Sequence, residues 1–222
     1  MSPSRQRKRL GGPVALACVA IMLLASCSGS GKHTATKGSP ATDAQGKLDV
    51  SLSLRLGSLT IQAAGPAAPF NRKIASQIRD LINNYIAAGI TKPLFTGSSV
   101  SSLSAYFAPA LASRVGPKGR DFAALCDQGV PVITSVTGTA KAPLALVGLE
   151  DHGRLVMVGG QFVLTIKGTT AQGPLTVSRI GNFVFEPNAK KQWRITGYDL
   201  VVNRDNSQSS TSQHATTTTA AP

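Results

Sequence analysis

The chain has 222 residues, 42% of them hydrophobic and 15% charged, and its 23 Lys and Arg against 10 Asp and Glu give a formal charge of +13. Its three cysteines fall in three separate segments, which excludes a disulfide framework and leaves the fold to rest on its core. The cations are scattered rather than gathered in a run, which argues against nucleic acid as a partner.

Residues 1–26 read as an export signal. Arg5, Arg7, Lys8 and Arg9 form a basic head without an acid, and Leu10 to Ser26 carries no charge. Gly11, Gly12 and Pro13 interrupt this run, which is shorter than the roughly 20 apolar residues a membrane-spanning helix needs. At its end, Leu24-Ala25-Ser26-Cys27 resembles the lipobox of bacterial lipoproteins. The resemblance implies that Cys27 becomes the mature first residue and carries a diacylglyceryl group. With two or three acyl chains, each buried methylene contributing about 0.8 kcal/mol, the anchor would be durable. The positive-inside rule places everything after Cys27 outside the cytoplasm. Without Arg5, Arg7, Lys8 and Arg9 the 23 basic residues fall to 19 against 10 acids, a formal +9, which favours anionic head groups or wall polymers nearby.

Residues 27–46, rich in Ser, Gly, Thr, Ala and Lys, read as a flexible tether. Residues 47–205 then form one domain, and residues 206–222 a disordered Ser/Thr-rich tail with candidate O-glycosylation sites. Within the domain, Leu48, Val50, Leu52, Leu54 and Leu56 alternate with polar residues as in a half-buried strand. The parity flips at Gly57-Ser58 to Leu59 and Ile61. A two-residue loop would make this an N-terminal β-hairpin, the preferred reading; a bulge in one long strand competes. Phe70, Ile74, Ile78, Leu81, Ile82, Tyr85 and Ile86 recur at helical spacing, with Gly89 as the expected stop. Leu103, Tyr106, Phe107 and Leu111 predict a second helical stretch broken near Pro109, and residues 121–126 a short third one.

From Val130 onward the chain reads as strands: 130–141, 144–149, 155–167, 175–185 and 193–202, divided by good loop chemistry at 150–153, 168–173 and 186–190. Trp193 and Ile195 share one parity and Tyr198, Leu200 and Val202 the other, which predicts a bulge near Thr196-Gly197. Helices first and a meander afterwards give an α+β domain, N-terminal helices packed on a curved antiparallel sheet. The order of the long helix, then Leu103-Ser104-Ala105-Tyr106-Phe107-Ala108-Pro109-Ala110-Leu111, then a sheet closing on Trp193-Arg194-Ile195-Thr196-Gly197-Tyr198-Asp199-Leu200, resembles the cone-shaped nuclear-transport-factor-two-like (cystatin-like) fold. It is most similar to exported actinobacterial lipoproteins and proteins associated with mammalian-cell-entry transport. The resemblance covers residues 70–202 and implies an envelope accessory protein.

Groups able to do chemistry are few. His152, in a Glu-Asp-His-Gly turn, is expected to be exposed, and its neighbours cannot share a metal with it because adjacent side chains diverge. Cys126 is expected as a buried hydrophobe. Some relatives of the fold pair a cavity carboxylate with a tyrosine, which makes Tyr85, Tyr106, Tyr198, Asp80 and Asp199 the candidates by type, although the first and third complete apolar registers and Asp199 points outward. Gly159-Gly160 reads as close packing within a strand. No catalytic set, metal site or cofactor is implied. Two readings follow: a non-catalytic interaction module held at the bacterial membrane and facing an envelope protein, or a carrier or sensor of a small apolar ligand. A cavity lined by Phe162 and Phe183 would favour the carrier, and a filled interior with an exposed apolar patch the module.

Overall fold

The computed structural model describes residues 50, 52–63, 69–206 and 210–217. The signal, Cys27, the tether and parts of the tail lie outside the described residues. Helix α1 (Arg72–Ile86) starts where Asn71 Oδ1 accepts from the amides of Lys73 and Ile74, at 2.9 and 3.4 Å. Its apolar stripe buries Ala75, Ile78, Ile82, Tyr85 and Ile86. Gly89 does not stop it. The helix runs on through one π turn (Ala87–Thr91) into α2 (Lys92–Thr96) and ends at Gly97, whose φ of 65° supplies the left-handed cap. Gly89 is needed for contact instead: a Cβ there would sit 3.2 Å from the Leu125 carbonyl and 3.3 Å from Leu103. Beyond Pro109 the chain forms a short 3-10 turn (Pro109–Leu111), α3 (Ala112–Val115) and α4 (Phe122–Leu125).

The strands are β1 (Leu56–Gln62), β2 (Ile133–Lys141), β3 (Leu144–Asp151), β4 (Arg154–Thr170), β5 (Gly173–Pro187), β6 (Trp193–Asn206) and β7 (Ser210–Thr216). They make one open, mostly antiparallel sheet in the order β1-β3-β4-β5-β6-β7, with β2 also paired to β4. The long β4 holds β3 along its first half and β2 along its second, on the same side. The domain is therefore mixed α and β, with few helices. The expected bulge in β6 is present: Phe185 pairs with Ile195 and Val184 with Gly197, leaving Thr196 out of register.

Two further expectations are corrected. Gly57-Ser58 is not a hairpin tip; both residues lie within β1, which pairs in parallel with β3, and the parity flip is absorbed by a register shift between Leu56 and Leu59. The residues before β1 join it to both β3 and α1: the Arg55 carbonyl accepts from the Leu144 amide at 2.8 Å. Leu52 and Leu54 are buried, and the Leu54 amide and carbonyl meet the Asn83 side chain at 2.8 and 3.2 Å. The tail is the second correction: residues 210–216 form β7, antiparallel to β6. Apolar burial is a poor guide there, since Ala215 is its one buried hydrophobe among the described side chains. Backbone pairing and polar links hold it: Ser212 to Asn203 at 2.6 Å, Thr216 to Asp199 at 2.9 Å and Arg204 to Gln213 at 2.7 Å.

Under α1 the sheet is lined with rings. Phe162 and Phe183 stack at 5.5 Å, Phe183 lies 6.3 Å from Phe185, and Tyr85 on α1 closes on Phe183 at 5.9 Å. Phe107 fills the gap between Tyr85 and Tyr198, edge-on to both at 5.9 and 5.6 Å.

Candidate functional site

The inward register of β5 reads Leu175, Val177, Arg179, Gly181, Phe183, Phe185, so an arginine occupies a position its neighbours fill with hydrocarbon. Arg204 falls likewise on the inward parity of Leu200 and Val202 in β6. Both converge on Asp127, which is fully buried. Its Oδ1 accepts from Arg179 Nη2 at 2.6 Å and from Arg204 Nε at 2.8 Å.

These groups also cap a helix end. The last carbonyls of a helix lack partners within it, and four around the end of α4 receive side-chain donors. Ala124 takes Arg179 Nη1 at 2.7 Å, Ala123 and Cys126 take Arg204 Nη2 at 2.8 and 3.0 Å, and Leu125 takes the Tyr85 hydroxyl at 2.7 Å. The backbone amide of Asp127 ties the same turn to Gly89 at 2.9 Å. Burial works to lower the Arg179 pKa, but the Asp127 carboxylate outweighs it and holds the guanidinium above its ordinary value. Two buried atoms, Asp127 Oδ2 and Arg179 Nε, have no hydrogen-bond partner among the described residues.

A second polar group stands beside the first. Asp121 Oδ2 accepts from Arg114 Nε at 2.6 Å and from the Tyr198 hydroxyl at 2.7 Å, while the Arg114 guanidinium lies 5.8 Å from the Tyr198 ring centre and donates to the Thr216 carbonyl at 2.6 Å. Next to Arg204, between β7 and the 128–131 loop, a pocket of about 240 Å³ opens, with Arg204, Gln213, Thr211 and Gln128 among its walls and Leu175 and Val130 as apolar surface.

The tyrosines named from the sequence do come together: Tyr85 lies 6.3 Å from Tyr106, and Phe107 joins it to Tyr198. The carboxylates named with them do not. Asp80 is exposed and held by Arg79 at 2.8 Å. Asp199 lies on the outward register of β6, where His214 at 2.6 Å and Thr216 at 2.9 Å hold its carboxyl below the usual range. The carboxylate that meets a tyrosine is Asp121. Burial pushes the Tyr85 and Tyr198 hydroxyls up, the latter helped by its bond to Asp121. Cys126 is 2% exposed, and burial pushes its thiol up, away from the thiolate a nucleophile needs.

His152 stands at the β3–β4 turn with φ of 49°, its side chain 92% exposed and bonded to Asp151 at 2.7 Å. Gly159 and Gly160 lie inside β4, and a Cβ on Gly160 would come within 2.9 Å of the Phe185 ring. Among the described residues no group of three or more His, Cys, Asp or Glu is placed to hold a metal ion, and no helix is long and apolar enough to cross a membrane. Sequence reasoning missed Asp127, Arg179, Arg204 and His214. For the two arginines the signal was their parity; His214 was hidden with β7 in the tail.

Comparison with protein-family models, with curated proteins and with solved structures found no match.

Proposed function

We propose that this is a lipid-anchored protein on the extracytoplasmic face of a bacterial membrane, acting there as a non-catalytic interaction module. The observation that carries the reading is Leu24-Ala25-Ser26-Cys27 at the end of a charge-free run behind a basic head. The tether from Cys27 to residue 46 gives the domain a reach of roughly 25 Å as a flexible coil, which keeps it close to the surface.

The interior supports a module over a carrier of an apolar ligand. Stacked rings occupy the space around Phe162 and Phe183, while the outward face of the sheet carries an apolar ladder: Val163 pairs with Ile180 and Ile180 with Val201, at 36%, 50% and 37% exposure. We also read the domain as a cone of the cystatin-like kind, supported by α1 lying against the ring-lined face and by the bulge at Thr196 in β6.

The test is Cys27→Ala in cells fed a labelled fatty acid. The parent should take up label and sediment with membranes; the variant should take up none and keep its signal. Equal labelling of the two would end the proposal.

A further inference from the structure

The pocket beside Arg204 is lined by polar groups, Gln128, Asn206, Thr211 and Gln213, of which the two glutamines turn donors toward it. Gln128 Oε1 accepts from the Val100 amide at 2.7 Å and Gln213 Oε1 from Arg204 Nη1 at 2.7 Å. Both partners are obligate donors, which fixes the orientation of each amide and leaves each with its NH₂. Among the described residues neither NH₂ has an acceptor, nor does the Thr211 hydroxyl. Arg204 commits Nε to Asp127 and Nη2 to the Ala123 and Cys126 carbonyls, so one Nη1 hydrogen remains.

Charge points the same way. The Arg204 side chain is only 10% exposed, and it shares the one carboxylate of Asp127 with Arg179. Buried charge left over in this way favours a counter-charge within reach. Asp205, the next acid along β6, is exposed on the opposite register and cannot supply it. Leu175, Val130, Pro131 and Ala123 give the pocket a hydrocarbon side. Inorganic phosphate would leave that half of the pocket unfilled, and a volume of about 240 Å³ is below the range for drug-sized ligands.

We propose that this pocket binds a small organic carboxylate with a short hydrocarbon part, the carboxylate received by Arg204, Gln213, Gln128 and Thr211 and the chain by Leu175 and Val130. β7 supplies two of these four donors, so the folded tail is part of the site. The inference goes beyond the interaction role and does not depend on the lipid anchor.

The test uses the full-length chain in a non-ionic detergent, titrated calorimetrically with valerate, valeramide and inorganic phosphate. Valerate should bind saturably and at least about tenfold more tightly than either of the others, as charge-assisted hydrogen bonds require. Gln213→Glu and Gln128→Glu keep the oxygens that accept from Arg204 and Val100 but replace each free NH₂ with an anionic oxygen. Each should weaken valerate binding by about tenfold or more without lowering the melting temperature of the unliganded protein. Valeramide or phosphate binding as well as valerate, no binding of valerate, or full binding retained by both folded variants would overturn the proposal.

Discussion

The inner face of the sheet has two halves that solve burial differently. Under α1 it is aromatic and dry, with Phe162, Phe183 and Phe185 against Tyr85. Toward α4 the same strands present Arg179 and Arg204, and the space is filled by an ion pair and four capped carbonyls. Alpha-helix α1 arrives with side chains and needs rings to meet them. By contrast α4 is four residues long and turns its end toward the sheet, so what must be met there is unpaired backbone oxygen. Arginine on an inward strand position is the response to a helix end, as phenylalanine is to a helix face.

Asp127→Ala should separate the halves most sharply. It leaves the buried Arg179 and the half-buried Arg204 without their shared carboxylate, and a loss of about 3–5 kcal/mol is expected in urea unfolding. A loss below about 1 kcal/mol would mean that the α4 carbonyls alone carry the charge. In the dry half, Gly181→Ala places a Cβ 2.7 Å from Phe183 and 2.8 Å from Phe162. Overpacking should cost about 1–3 kcal/mol there, and an unchanged midpoint would show that the stack can shift.

Tyr85 belongs to both halves, with its ring in the stack and its hydroxyl on Leu125. Tyr85→Phe should keep the packing and lose about 1–2 kcal/mol by orphaning that carbonyl. Since burial raises both Tyr85 and Tyr198, the folded state holds these protons more tightly than the unfolded one. Stability is therefore intact below about pH 10 and should fall as pH rises past it, with phenolate absorbance from these two appearing only as the chain unfolds. The smallest effect lies outside both halves. Asp199 is lowered by His214 and Thr216, so its contribution is present above about pH 4 and lost as pH falls through its folded value. Amide exchange in β7 should accelerate there, and His214→Ala should abolish the acceleration.

The two halves were not equally legible in the sequence. The half under α1 was: the spacing from Phe70 to Ile86, the strand pattern after Val130 and the parity break at Thr196 all express burial of hydrocarbon, which periodicity reports directly. The polar half was not: the inward parity of Arg179 and Arg204 acquires a reason only once a helix end is placed over them, and Asp127 leaves no periodic mark. β7 escaped for a related reason: its side chains pair with Asn203, Arg204 and Asp199, and polar pairing leaves no periodic mark. Gly57 and Gly89 were read as loop and stop, yet both mark close approach, to Pro143 at 3.0 Å and to the Leu125 carbonyl at 3.2 Å.

Strand β1 is the first of the domain and pairs in parallel with β3, joining Leu56 to Leu144. As the chain is made amino end first, β1 must wait for all the helices and β2 before its partner exists. The leading segment is thus the one kept longest without its neighbour, open to chaperones or to mispairing. Its docking adds the edge strand beyond β3 and so completes the sheet last.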